Sequence, residues 1–294
     1  MNKSIVYFTK DISAQGLLNI YRALNKKLSG RVAVKLHSGE KGNQNYLRPE
    51  FVKELIDTVG GVVVETNTAY DGMRNTTEKH TKLMAEHGWS KYFDVDILDS
   101  EGEDIALDIP NGKKLKKNLI GAHTRDYDSM LVLSHFKGHP MGGYGGALKQ
   151  LSIGVASSGG KANIHTAGVT SDTKVVWKHT APQIEFLQSM ADAASSVVKF
   201  FKGNAIYINV MCNMSVDCDC CAIAEDPCMA DIGILASTDP VAIDKACIDL
   251  VYGSKDKGRD HLLERIESRQ GTKTIGFAEE LGVGMTQYEL VSID

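Results

Sequence analysis

The 294-residue sequence has no excess of one charge sign and no long apolar run. Its 33 basic and 37 acidic side chains nearly balance, which argues against a duplex nucleic-acid surface and against attachment to an anionic membrane. No run of about eighteen apolar residues is present, and the opening residues lack the long apolar segment of a signal peptide. We therefore expect a soluble, cytoplasmic protein with neither a nucleic acid nor a membrane as partner.

Internal repeats and low-complexity tracts are also lacking, whereas helical and strand-like segments alternate along the chain. This alternation is typical of an α/β protein. Apolar runs predict strands at 31–36, 61–65, 129–134, 205–210 and 232–236, and amphipathic segments predict helices at 13–28, 49–59, 76–87 and 182–201. We expect a Rossmann-like α/β fold with mostly parallel sheets flanked by helices.

Two further features concern the organisation of the chain. Asp239 and Pro240 predict the N-cap and first residue of a helix over 241–251. The more polar stretch at 91–119 alternates in the manner of a small antiparallel element. We place an N-terminal lobe at 1–120 and a C-terminal lobe at 121–294, with a cleft between them.

The segment 135–165 carries the densest chemistry and directly follows the apolar run at 129–134. Ligands in α/β proteins bind beyond the carboxyl ends of parallel strands. The glycines of the segment, Gly145 and Gly146 among them, allow backbone to approach a ligand closely. Lys149 follows where a helix could begin, and there it could pair with an anion or act as an amine nucleophile. The alternative interpretation is a mobile connector without a ligand.

Histidines and an arginine occupy this segment and two other predicted strand ends. His139 and His165 belong to the glycine-rich segment and could transfer protons or ligate a metal. His37 follows the predicted strand at 31–36, and Arg74 and His80 come after the strand at 61–65. If the sheet is parallel, all these loops open at one edge, so we expect Arg74 and Lys149 to bind a carboxylate or phosphate.

A second cluster consists of thiols. Five of the six cysteines fall within seventeen residues, namely Cys212, Cys218, Cys220, Cys221 and Cys228. In a cytosolic protein such a cluster is more typical of metal binding or redox chemistry than of disulfides. Its spacing gives neither the paired knuckles of a structural zinc site nor the cysteine run of bacterial ferredoxins. An iron–sulfur cluster of the 4Fe-4S type, a zinc site and inert thiols stay open.

Several strings resemble the Domain of Unknown Function 362 family, whose members are often described as iron–sulfur proteins. They are VAVKLHSGEKGN, DGMRN, HFKGHPMGGYGGALKQLSIG, CDCC and DIGILASTDPVAIDKA, and together they extend over roughly residues 30–252. The resemblance implies an α/β fold in a cytoplasmic setting but no particular reaction. Many relatives carry an appended ferredoxin module that this sequence does not contain, so the implied cluster would depend on residues 212–228 alone.

The order of His139, the glycines before Lys149, and His165 also resembles the nickel-pincer lactate racemase family. That resemblance implies a nickel-containing cofactor attached at Lys149, nickel ligation by His165 and acid or base chemistry by His139. His80 could correspond to the second catalytic histidine. The sequence departs from the family pattern in Ala-Leu before the lysine, in Ser-Ile-Gly where Pro-Gly is expected, and in its cysteines.

Three functions remain open from the sequence. The leading hypothesis is an iron–sulfur or other metal enzyme, such as an oxidoreductase with a redox partner, that acts on a small anionic substrate. In it the five clustered cysteines supply metal ligands, and His139 and His165 move protons. The second is a racemase- or epimerase-like enzyme with a cofactor at Lys149. The third is a non-catalytic metal or cluster carrier, against which the chemistry of residues 135–165 argues.

Overall fold

The computed structural model describes residues 3–102 and 104–294. The strands are β1 (Ser4–Thr9), β2 (Val32–Lys35), β3 (Gly61–Glu65), β4 (Val95–Ile97), β5 (Asp104–Asp108), β6 (Lys117–Gly121), β7 (Ser129–His135), β8 (Lys137–His139), β9 (Gly143–Gly145), β10 (Ala205–Met211), β11 (Gly233–Ser237) and β12 (Tyr288–Ser292). The α-helices are α1 (Ala14–Ala23), α2 (Pro49–Val59), α3 (Thr77–Glu86), α4 (Trp89–Tyr92), α5 (Ala147–Lys149), α6 (Ser158–His165), α7 (Gln183–Phe200), α8 (Pro240–Gly253), α9 (Arg259–Ser268) and α10 (Lys273–Glu280). A π-helical turn over Gln150–Gly154 continues α5.

Eight strands form one sheet in the order β12–β1–β11–β10–β7–β2–β3–β4. The strands from β10 to β4 pair in parallel, and so do β1 and β12. β11 runs against the other seven because it pairs antiparallel with both β1 and β10. The expected α/β class with a mostly parallel sheet is therefore confirmed.

The central strands β2, β7, β10 and β11 are buried on both faces, which explains why they are largely apolar runs rather than alternating ones. Met130 and Val132 of β7 pack into one core beside α5, α7 and α8. Leu131 and Leu133 pack into a second core beside α1 and α2. Successive side chains of a strand point to opposite faces, so one apolar run serves both layers.

Capping residues account for several helix ends. The Asp239 carboxylate accepts hydrogen bonds from the backbone N–H groups of Val241 and Ala242, as predicted for the start of α8. α2 ends at Gly60, which adopts a left-handed conformation with φ 63°. The prediction of a helix to residue 28 was wrong at its end, since α1 stops at Ala23 and Asn25 turns the chain with φ 47°.

The stretch at 91–119 divides between two sheets. β5 pairs antiparallel with β6, which begins within this stretch, whereas β4 joins the large sheet parallel to β3. Strands from both sides of residue 120 share the large sheet, as in the β2–β7 pair. The division into lobes at 1–120 and 121–294 stays a prediction.

Among the described residues, no helix is both long and apolar enough to cross a membrane.

Candidate active site and thiol cluster

A cavity of about 200 Å³ lies beyond the carboxyl ends of β2 and β3, enclosed by β8, α5 and α6. Six predicted site residues lie on its wall: His37, Arg74, His139, Lys149, His165 and Cys220. Lys35, Glu65 and Lys161 also line it. Four basic side chains and one carboxylate thus face the same space, which favours an anionic ligand. The volume is below the roughly 300–1,000 Å³ of pockets for drug-sized ligands, so the cavity suits only a small molecule.

Three other predicted site residues contact the protein interior instead of this cavity. His80 is fully buried, and its Nε2 atom lies 3.4 Å from Ser38 Oγ. A Cβ atom on Gly146 would lie 2.5 Å from the Asp244 carboxylate, and one on Gly145 would lie 3.4 Å from Cε of Lys137. These two glycines make close internal packing possible. Their roles in substrate binding, and that of His80 in catalysis, stay predictions.

Glu65, at the end of β3, organises the cationic side of the cavity. Its carboxylate accepts hydrogen bonds from Lys35 Nζ at 2.7 Å and from the Ser38 backbone N–H at 2.9 Å, and it lies 3.8 Å from the Arg74 guanidinium. Burial by itself would raise the pKa of Glu65, but the positive charge of Lys35 and of its other neighbours holds it well below its ordinary value. Arg74 also forms an ion pair with the Glu40 carboxylate, at 3.2 Å from its Nε. A buried anion therefore holds two cations in place.

Two of the three histidines at the cavity, His139 and His165, carry their protons on different ring atoms. His139 Nδ1 accepts hydrogen bonds from the backbone N–H groups of Gly142 at 2.8 Å and Met141 at 3.2 Å, so the neutral ring has its proton on Nε2. His165 Nδ1 donates to the Lys161 carbonyl at 2.8 Å, so its Nε2 keeps a free lone pair. Burial lowers the pKa of His165 to about 4 and also lowers that of His139. One ring can thus donate a proton and the other can accept one.

His139 also belongs to a thiol cluster, which we define as His139, Cys218 and Cys220. One ligand atom of each residue lies within 4.8 Å of the others, an arrangement that could hold a metal ion. His139 Nε2 is 3.9 Å from Cys220 Sγ, and the Cys220 backbone N–H donates to Cys218 Sγ at 3.4 Å. Because Nδ1 accepts hydrogen bonds, ligation through Nε2 would release the Nε2 proton.

Lys149 is buried and donates from Nζ to Cys218 Sγ at 3.5 Å. Burial by itself would raise the pKa of Cys218, but the Cys220 thiol, the ammonium groups of Lys149 and Lys137, and His139 together hold it well below its usual value. The pKa of Lys149 is in turn raised by the same contact, despite its burial. These contacts favour the thiolate form of Cys218, which is the form that attacks electrophiles and binds metals.

Replacing Lys149 with Met is expected to raise the pKa of Cys218. A charge-assisted hydrogen bond contributes about 1.5–3 kcal/mol, which corresponds to roughly one to two pKa units. Alkylation of Cys218 by iodoacetamide, followed by peptide mass spectrometry against pH, measures this shift. Lys149→Arg keeps the positive charge and should retain the low pKa. An unchanged pH profile in Lys149→Met would show that the lysine does not support the thiolate.

The remaining clustered cysteines lie outside the group of possible metal ligands. Cys212 packs into the core beside α1 and α2, and burial raises its thiol pKa to about 12. The Cys228 thiol donates to the Met214 carbonyl, and Cys221 lies beside the Cys220 thiol. Within 3–102 and 104–294, four sulfur atoms do not converge on one point. The donor set therefore fits a single thiophilic metal ion rather than a four-iron cluster, and the five-cysteine ligand set stays a prediction.

Asp219, between the two cluster cysteines, fixes the loop to the sheet. Its buried carboxylate pairs with His135 Nδ1 at 2.8 Å and with Lys137 Nζ at 2.7 Å. Burial by itself would raise the pKa of Asp219, but these two partners lower it. His135 is thus a structural partner of the loop and not a residue of the cavity wall. Sequence reasoning missed Asp219 because an aspartate between cysteines has the pattern of a solvated loop residue.

Comparisons with known proteins give a family and distant structural likenesses. The family described as Domain of unknown function (DUF362) matches residues 32–249, which confirms the resemblance expected from the sequence. No match was found among curated proteins. The lactate racemase apoprotein from Thermoanaerobacterium thermosaccharolyticum is 16% identical, with a TM-score of 0.39 over 70% of this chain and 50% of that chain. A crystal structure of a Thermotoga maritima protein is 11% identical, with a TM-score of 0.41 over 91% of this chain and 58% of that chain. The chain thus spans about half the length of these structures, and likeness at this level identifies no activity.

Proposed function

The chain belongs to the family described as Domain of unknown function (DUF362), and because that description states no activity, we propose a function from the cavity itself. The protein is a metal-dependent enzyme that acts on a small organic anion. The observation that carries this proposal is the thiol cluster at the wall of a small cationic cavity, where His139 and Cys220 face the same space as Lys149 and Arg74.

In the proposed function, the basic side chains of the cavity wall and the thiol cluster have different roles. Lys149 and Arg74 would bind a carboxylate or phosphate of the substrate, since both are buried and positively charged. Cys218, Cys220 and His139 would hold one soft metal ion, and this ion would supply a Lewis acid for a substrate oxygen. All six cysteines are free, which supports a reducing compartment such as the cytoplasm.

Metal content of anaerobically purified protein tests the proposal. We expect about one zinc or similar ion per chain. Cys218→Ser and Cys220→Ser should weaken metal binding by more than about a hundredfold, because even a residue that only supports a ligand contributes 10- to 100-fold. Inductively coupled plasma mass spectrometry and competition with a chromogenic chelator measure stoichiometry and affinity.

Cys228→Ser is the matched control, since its thiol donates to a carbonyl that a serine hydroxyl can also reach. It should keep the metal. Iron with labile sulfide, lost equally in all three variants, would support the iron–sulfur cluster and contradict the single-ion site. Wild-type protein that binds no thiophilic metal at neutral pH would overturn the metal-dependent function.

A second function, proton transfer at carbon, is favoured by the opposite tautomers of His139 and His165. A proton donor and a proton acceptor at one cavity can remove a proton beside a carbonyl and return one, which is the step of a racemase- or epimerase-like enzyme. Attachment of a cofactor at Lys149 is not needed for this step. Lys149 already contacts Cys218, and that contact supports an electrostatic role instead.

A further inference from the structure

Lys161 differs from the other buried lysines of the described chain in having no anionic partner. Lys35 pairs with Glu65 at 2.7 Å, Lys137 pairs with Asp219 at 2.7 Å, and Lys149 contacts the Cys218 thiolate. Lys161 Nζ instead donates to two neutral oxygens, Thr66 Oγ1 at 2.5 Å and the Ala156 carbonyl at 2.6 Å. In the described part of the chain, no carboxylate lies within 4.0 Å of its Nζ.

This environment favours the neutral amine. A buried ammonium without a counter-charge is expensive, and a lysine in such a place gives up its proton. Burial lowers the pKa of Lys161 to about 7; the more distant Asp99 and Glu65 carboxylates oppose this shift, and the positive charges of Lys35 and Arg74 add to it. A neutral amine that donates two hydrogen bonds still has a lone pair, and Lys161 lines the cavity.

We infer that Lys161 forms an imine with the carbonyl group of a small 2-oxo acid bound in the cavity, an inference that rests on the proposed function for the location of the substrate. The carboxylate of such an acid suits Lys149 and Arg74, and its size suits a cavity of about 200 Å³. His165 lies one helical turn after Lys161 on α6, so its Nε2 lone pair is at the same cavity wall.

The chemistry needs no oxidant or reductant. The Nζ lone pair bonds to the carbonyl carbon while the carbonyl π pair moves to oxygen. That oxygen receives one proton from the amine and a second from solvent and leaves as water, which gives a protonated imine. Such an imine withdraws electrons from the adjacent carbon and acidifies its C–H bonds.

Reductive trapping tests the inference. Anaerobically purified full-length protein is incubated with pyruvate or glyoxylate and sodium cyanoborohydride, and the adduct is located by intact mass and peptide mapping. We expect one adduct, at Lys161, and none at Lys35 or Lys137, which are buried but paired. An ordinary lysine has roughly a thousandfold smaller neutral fraction at pH 7 than one with a pKa near 7.

Lys161→Met should lose the adduct while remaining folded by circular dichroism, because an apolar stem can replace an unpaired buried amine without leaving a charge behind. No adduct at Lys161 with either acid, or an undiminished yield in Lys161→Met, would overturn the inference. Lactate, which has no ketone, separates the two proposals. If lactate raises the melting temperature and the thiol cluster binds metal, but no oxo acid is trapped, the imine fails and the proposed function stands. If Lys161 is trapped but the thiol cluster binds no metal, the imine stands and the metal-dependent function fails.

Discussion

Replacing Glu65 with glutamine is expected to lower the free energy of unfolding by about 3–5 kcal/mol, the range for removing one partner of a buried ion pair. The side chain is only 2% exposed, and its carboxylate faces both Lys35 and Arg74. An amide of the same shape would leave the Lys35 ammonium buried without a counter-charge. Urea unfolding followed by circular dichroism measures the change.

Two further variants make this prediction specific. Glu86→Gln removes a carboxylate that is 40% exposed and 3.7 Å from Lys41, and it should change stability by less than about 1 kcal/mol. Adding Lys35→Met to Glu65→Gln removes the stranded ammonium and should restore much of the loss. If the double variant is no more stable than Glu65→Gln, the unpaired cation is not the cause.

The same carboxylate gives a pH dependence of known sign. Because the folded protein holds the pKa of Glu65 well below the ordinary value of 4.5, its stabilising contribution is complete above about pH 4.5. The contribution is lost as pH falls through the lower pKa of the folded state. Stability of Glu65→Gln should therefore vary less with pH in the acid range than that of the wild type.

Much of the central sheet could be predicted because its strands are buried on both faces and contain little but apolar residues. The apolar runs at 61–65 and 205–210 clearly indicate strands. The ends of α2 could also be predicted, because the helix begins with a proline and is followed by a glycine. The pairing of β1 with β11 and β12 could not be predicted, since the order of strands depends on contacts between residues more than 200 positions apart.

The site was predictable where it follows strand ends and not where it depends on side-chain pairing. The strand-end rule indicated His37 and His139, but it gave Lys161 no prominence, because a lysine after two glycines has the pattern of a solvated helix start. The absence of a carboxylate in contact with its ammonium, which distinguishes Lys161 from the other buried lysines, exists only in three dimensions. Likewise, cysteine density predicted a cluster but could not select Cys218 and Cys220 from the five thiols.

His165→Gln is expected to slow proton exchange at carbon by about 10²- to 10⁴-fold, the usual contribution of a general base. The reason is the free Nε2 lone pair, which the Nδ1 hydrogen bond to the Lys161 carbonyl holds at the cavity. Because burial lowers the pKa of His165 to about 4, the ring is the unprotonated base throughout the neutral range. The exchange rate should therefore show no loss from protonation of this ring between about pH 5 and 8.

Incorporation of deuterium from D₂O into the methyl group of pyruvate, followed by proton NMR, measures this exchange. His179→Gln, which alters an exposed histidine after the same helix, should retain the wild-type rate. Lys161→Met should also slow the exchange if the imine acidifies the methyl protons. It should in addition lose the adduct trapped by cyanoborohydride, which His165→Gln should retain, so the two measurements together separate the base from the amine. Equal exchange by the wild type and His165→Gln would exclude His165 as the base. In that event His139 would be the other candidate base. Its Nε2 carries a proton beside Cys220, so His139 could accept a substrate proton only after passing its own to the thiol cluster.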